Sequence, residues 1–472
     1  MDILLIIGLA ATLVVIVTLS VWSGSRGRSG KETKNSMPVV AGIIMGTLVG
    51  GSSTIGTAQL AYHFGMSAWW FTLGGSIACL ILALVYADPL RRSGCPTLVG
   101  MIRKEFGTAA GILASVLSAV GTFISIISQL ISATAVIAVV APTLGVVPAV
   151  IVSAVFMVLY VVFGGTKGAG IVGIVKTALI YVAMIACGLM VLMMVGGVSS
   201  FADMVHSIHN PDGVNFFSLF ARGAGTDTGA CLSLILGVLT TQTYAQGVLS
   251  GKSDRVGKSG ALISAVLIPP IGIGGILVGL YMRANVALYP GLSAKTALTT
   301  FITAHFPPLL AGIILGTLFV AVVGTGAGLA LGISTIINSD IVKHLTHRFD
   351  DPAKALDLSR VWIVVVLAAA CVLSTGSLGD TILRFAFMSM GLRGTVVFAP
   401  LICALWLPGR VNKRCAVASI VISPILVLAF GVLDVLPFDS LFIGVLASVV
   451  IMGAGLLFGP QTALQKNGHR RN

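Results

Sequence analysis

The chain has 472 residues, of which 57% are hydrophobic and only 9% charged, with a mean hydropathy of +1.06. Water-soluble domains carry about 25% charged residues, so this composition excludes a soluble globular protein. The formal charge of +13 would mark a nucleic-acid partner if it formed a basic face, but the Lys and Arg lie in short loops between apolar runs, where they report orientation in a bilayer.

The first apolar run, 3–22, is preceded by Asp2 and followed by positive charge. A signal peptide has the reverse order, so this run reads as a retained helix. Further runs cover 38–62, 67–89, 110–140, 145–164, 170–197, 229–250, 258–283, 308–338, 359–375, 379–407, 413–433 and 439–459. A crossing helix needs roughly 20 apolar residues. The expectation is an all-α polytopic membrane protein of thirteen transmembrane helices; a β-barrel would show short alternating segments instead. Arg26, Arg28, Arg91, Arg92, Lys252, Arg255, Lys343, Arg410, Lys413 and Arg470 fall in alternate loops, with Arg222, Arg283 and Lys295 in the others. By the positive-inside rule the N-terminus lies outside and the C-terminus inside. The long loop at 198–228 is polar and expected on the outer surface, and Lys176, Arg384 and Arg393 remain within spans. The cysteines form no CxxC pair, so neither a disulfide framework nor a zinc site is indicated.

Two runs are ill suited to continuous helices. Gly and hydroxyl residues interrupt the second at 50–57 and the seventh at 237–247. Unwound backbone at membrane depth is tolerated where it is buried or lines a cavity. Such a break frees carbonyls for a cation and a half-helix N-terminus for an anion. The breaks lie five spans apart, so they run through the membrane in opposite directions, as an inverted repeat requires. Close helix packing through small residues is the competing reading of either stretch.

The residues 50–62, followed by Gly65-Met66-Ser67-Ala68-Trp69-Trp70, resemble the first core helix of the sodium:solute symporter family. Arg91-Arg92-Ser93-Gly94-Cys95-Pro96-Thr97-Leu98, running on to Arg103-Lys104-Glu105-Phe106-Gly107, is similar to the loop after that family's second core helix. Gln242-x-x-x-Gln246 resembles its Gln-x-x-x-Gln-Arg signature, with Gly247 in place of Arg. Pro307-Pro308, Leu318-Phe319-Val320-Ala321 and Ser339-Asp340-Ile341 resemble its eighth core helix. The resemblance implies a leucine-transporter-type five-plus-five inverted repeat. An extra helix would span 3–22, repeat one 38–197, repeat two 229–407 and peripheral helices 413–459.

It also implies a sodium ion held by the carbonyls of Gly51, Thr54 and Ala321 and by hydroxyls at two adjacent positions, which here are Gly324 and Thr325. Gly324 has no hydroxyl to offer. A second sodium site of some members would need an Asp near Lys176 and hydroxyls at Ala327 and Gly328; all its polar ligands are missing, so it is expected to be absent. Lys176 is an ionisable residue inside a span, a functional candidate by default. One reading has its ammonium replace the sodium ion, giving a sodium-independent or proton-coupled cycle; the other has it snorkel to the headgroups.

Solute is expected beside the breaks, at Ser52, Ser53 and Thr57 on the first and Thr241, Gln242 and Tyr244 on the second, with Trp69 and Gln129 in the walls. Arg384 and Arg393 are nine residues apart, about two and a half turns, and are expected to face roughly the same side. A planar guanidinium suits a carboxylate, which points to an anionic solute; internal pairing of Arg384 with Asp380 is the plainer reading. No His or Asp occupies a span centre, so the constellations of an intramembrane enzyme are missing. The sequence therefore reads as a secondary active transporter of a small polar solute, anionic on the arginine reading, in the cytoplasmic membrane, expected to be a bacterial inner membrane. Sodium or a proton would be its coupling ion, with no other cofactor, no transition metal and no nucleic acid. A channel or receptor-like membrane protein is the alternative class, and protein partners are not legible.

Overall fold

The structure, a computed structural model, describes residues 2–27, 34–95, 97–164, 169–210, 212–342, 352–375, 382–433, 436 and 438–459. Among these no strand forms, and one isolated bridge pairs Asn35 with Gly251. Several expected basic loop residues and Asp380 lie outside the described residues.

The first run forms α1 (Ile3–Gly27). The second is interrupted where its sequence turns to Gly, Ser and Thr. Helix α2 (Met37–Leu48) stops at an extended Val49, a π-helical turn covers Ser52–Gly56, and α3 (Thr57–Phe64) completes the run. Next come α4 (Trp70–Ile81), α5 (Ala87–Arg92) and α6 (Leu98–Phe106). The long α7 (Thr108–Val140), α8 (Val146–Gly164) and α9 (Ala169–Val195) follow, then the short α10 (Val198–His206). The seventh run is also broken, into α11 (Ala224–Thr240) and α12 (Gln242–Leu249), bent by 52°. Helices α13 (Asp254–Leu267) and α14 (Pro269–Ala284) meet at a Pro-Pro pair, which removes two backbone donors. The chain continues through α15 (Ala297–His305), α16 (Pro308–Ile336), α17 (Pro352–Ser374), α18 (Ile382–Trp406), α19 (Lys413–Leu433) and α20 (Leu441–Leu457).

Among the described residues, eight helices are long and apolar enough to cross a membrane, nine if the bent α11–α12 pair is one span. Shorter apolar helices occupy Ile3–Leu19, Met37–Leu48, Val146–Tyr160 and Leu441–Leu457. Val182, Val266, Val372 and Leu446 each expose more than 60% of their surface. Large apolar residues facing outward on several helices fit a lipid surround, since a water-soluble protein rarely shows such patches. The polar groups are inside: Ser52, Ser53, Thr54, Gln129, Lys176, Thr241, Thr325 and Arg393 are all buried.

Packing places both breaks centrally. Helix α2 lies against α9, α12 and α13; α11 lies against α4 and α18; α7 and α16 pack on each other. The first break needs glycine at Gly51, where a Cβ would stand 2.3 Å from the Ser132 Cβ.

Candidate solute and cation site

At the first break the hydrogen bonding is rearranged by one serine. The Ser53 hydroxyl accepts from the Gly50 N–H at 3.0 Å and donates to the Gly50 carbonyl at 3.0 Å. In a continuous helix the Gly50 N–H would go to the Gly46 carbonyl. That carbonyl instead accepts from Lys176 Nζ at 2.6 Å, and the same ammonium donates to Thr325 Oγ1 at 2.7 Å. Lys176 is 3% exposed. Its ammonium thus caps the last turn of α2, the negative end of that helix dipole, and links α2, α9 and α16.

The π-helical turn is held from α7. Gln129 Oε1 accepts from the Gly51 N–H at 3.0 Å, and Gln129 Nε2 donates to Ser52 Oγ at 3.3 Å. The Ser52 and Ser128 hydroxyls are 3.1 Å apart. Ser128 Oγ donates to the Ile382 carbonyl, and Gln59 Oε1 accepts from the Ile382 N–H. The start of α18 is therefore fixed to the first break.

At the second break Thr241 is extended, at φ −90° and ψ 124°, and precedes the N-terminus of α12. Its hydroxyl donates to the Gly237 carbonyl at 2.6 Å and accepts from Arg393 Nη1 at 2.8 Å. Arg393 is 1% exposed. Its remaining donors reach the Ser389 carbonyl, the Ser125 and Ser389 hydroxyls and the Met390 sulfur. None of these partners is a carboxylate.

Between the breaks lies a cavity of about 20 Å³, lined by Ser52, Gln129, Tyr244, Thr325 and Arg393 together with Thr47, Leu48, Phe71, Ser125, Leu329, Ala386 and Met390. That is room for about one water. The pocket is thus far too small for an organic solute in this state. Both ends are latched. Toward the start of α11, Arg222 Nη2 lies 2.6 Å from the buried Asp227, Arg222 Nε donates to Ser67 Oγ at 2.9 Å, and Trp70 Nε1 donates to the Leu219 carbonyl. The Arg222 guanidinium also covers the Phe387 ring, which packs on Phe71 at the cavity wall. Toward the end of α12, Arg91 Nη2 donates to the carbonyls of Val248, Leu249 and Gly251, while at the start of α12 Gln242 Oε1 accepts from the Leu98 N–H.

The residues expected to meet solute divide into two groups. Ser52, Gln129, Tyr244 and Arg393 line the cavity, with Thr241 directly behind Arg393. Ser53 and Thr57 bond within the π-helical turn, Trp69 donates to the Pro269 carbonyl, and Gln242, the first residue of α12, accepts from the Leu98 N–H at the start of α6. For the cation, Gly51 offers its carbonyl to the Gly56 N–H, and the Thr54 carbonyl faces α14 at Gly275. Gly324 packs beside the Tyr160 ring, and Ala321 is buried in α16. Of the set implied by resemblance, only Thr325 and Lys176 meet. Arg384 and Arg393 do not share a side: Arg384 is exposed and Arg393 buried. Two and a half turns of a helix end on the opposite face. Sequence reasoning passed over Ser125, Ser389 and Gly46, small residues with no signal of their own, and the latch pair Arg222 and Asp227, which read as ordinary charges of a polar loop.

The model of the sodium:solute symporter family matches residues 35–423. The chain belongs to this family. Among curated relatives of the symporter, high-affinity choline transporter 1 of Caenorhabditis elegans is 22% identical, over 91% of this chain and 78% of its own. The Homo sapiens protein of the same name is 24% identical, over 88% and 75%. The match to the Drosophila melanogaster protein, at 23% identity, spans 56% of this chain and only 44% of that protein. Among solved structures, a Na⁺-coupled sialic acid symporter in a substrate-bound, outward-open state superposes with a TM-score of 0.78 at 18% identity, covering 97% of this chain and 98% of that one. A nucleobase-cation-symport-1 family transporter, closed on bromovinylhydantoin, gives a TM-score of 0.57 at 11% identity, over 89% and 92%. The symporter thus has the leucine-transporter-type fold and is a multi-pass membrane protein of a family of alternating-access transporters.

Proposed function

We propose that the protein is a secondary active transporter that moves a small anionic organic solute across a cytoplasmic membrane by alternating access, with a cation as its coupling partner. Family membership supports cation coupling. The observation that carries the anionic solute is Arg393: a fully buried guanidinium on the cavity wall, satisfied only by hydroxyls, a carbonyl and a sulfur. The N-terminus of α12 adds positive dipole at the same place. A buried charge without a counter-charge is costly, and a carboxylate on the solute would supply one in bidentate geometry. The relatives' printed substrate, choline, is a cation, which a guanidinium repels; aromatic faces suit it, and this cavity offers only Phe71 and Tyr244.

Thirteen crossings with the N-terminus outside, the repeat boundaries 38–197 and 229–407, and a bacterial inner membrane as the location belong to the same proposal. The test is solute-dependent thermal stabilisation of purified protein over a panel of carboxylates, amino acids, sugars and quaternary amines, followed by saturable uptake into proteoliposomes. Carboxylates are expected to stabilise, and Arg393→Gln to weaken them roughly 10- to 100-fold, the worth of one charge-assisted hydrogen bond. Stabilisation by quaternary amines alone, or a conductance that does not saturate with solute, would exclude this reading.

A further inference from the structure

The first break has built a cation site, and the chain fills it itself. Three features make the site. The Gly46 carbonyl has lost its helical donor, because the Gly50 N–H turns to Ser53. The carbonyl stands in the last turn of α2, at the negative end of the helix. The Thr325 hydroxyl approaches from α16 as a second oxygen. Carbonyl and hydroxyl oxygens are the ligands hard cations take. The cation present is the Lys176 ammonium, in contact with both oxygens.

Packing delivers that ammonium. Gly173 lies three residues before Lys176, and a Cβ there would stand 2.2 Å from the Gly42 carbonyl. The α2 and α9 backbones are therefore in direct contact, and one turn further along α9 Lys176 reaches the exposed carbonyl. No Asp, Glu, His or other basic residue occurs on α2, α9 or α16. The other titratable side chains on α9 and the elements around it are Tyr181 and Cys187 on α9 itself, Arg26 on α1, Tyr160 on α8, Asp203 and His206 on α10, and Tyr281 and Arg283 at the end of α14. Nothing near the ammonium offsets a second positive charge, and two cations sharing these oxygens would repel at close range in a poorly screened interior.

We propose that the Lys176 ammonium is a tethered replacement for the sodium ion at this position, so that the protein neither binds sodium there nor needs it to transport. This rests on reading the chain as a cation-coupled transporter, but it is tested without any solute, so the two can fail separately.

The experiment is thermal unfolding of the purified full chain in detergent, titrated with sodium chloride against potassium chloride at constant ionic strength. The wild type is expected to unfold at the same temperature in both salts. Lys176→Ala vacates the two oxygens and is expected to gain a saturable, sodium-specific rise, since an ion that binds only the folded state stabilises it by mass action. A saturable sodium-specific rise in the wild type overturns the proposal, and that measurement stands even if the variant does not fold. A folded Lys176→Ala protein that remains indifferent to sodium overturns it as well.

Discussion

Four ionisable side chains show how much a single residue determines. Lys176 and Arg393 stand out in the sequence because each is a charge in an apolar run, and both are buried against polar groups at the helix breaks. Arg384 shares that sequence signal yet points outward, so the signal locates a charge without giving its direction. Asp227 carries no signal, because acids are common in polar loops. It is nevertheless fully buried, where its carboxylate takes the Arg222 guanidinium, the Arg222 N–H and the Ser67 hydroxyl. Removing one member of such a pair strands the other charge. Asp227→Ala is expected to destabilise the protein by about 3–5 kcal/mol, read as a lower midpoint in thermal unfolding. The accompanying loss of the latch is expected to expose an introduced cysteine at Phe71 to polar maleimides.

At the scale of elements, the Gly- and hydroxyl-rich stretches at 50–57 and 237–247 do become breaks, at Val49–Gly51 and at Thr241. Local chemistry explains the first: Ser53 competes for a backbone donor, as short hydroxyl side chains do in helices. What the stretches leave open is the partner of each freed group. The Gly46 carbonyl meets Lys176 because α2 and α9 touch at Gly42 and Gly173. A methyl group at Gly173 would force these backbones apart. Gly173→Ala is expected to cost about 1–3 kcal/mol, the usual range for overpacking, and to weaken the Lys176 contact. A measured loss in thermal unfolding without change at a control glycine such as Gly328, beside which nothing lies within 4 Å, would verify the contact.

At the scale of the whole molecule, a polar interior inside an apolar surface, a small cavity and latches at both ends of α11–α12 describe an occluded transporter. Solute entry requires one latch to open at a time, which is what alternating access demands. The proposed topology has a direct check. In a cysteine-free background, Asn210→Cys is expected to react with a membrane-impermeant maleimide from outside intact cells, and Arg410→Cys only after permeabilisation. The opposite pattern would invert the orientation.

The sequence by itself determined the solvent and the class: composition, run length and charge placement allow a helical membrane protein, and the two polar interruptions allow a transporter, because these properties depend on the local chain and the bilayer. The resemblance of its motifs named the family that the match over 35–423 shows. Only the tertiary structure decided which groups meet. The carbonyl that binds the ammonium, the hydroxyls around Arg393 and the partner of Asp227 come from helices far apart in the chain. Their encounter depends on helix direction and close backbone packing, which no local pattern encodes.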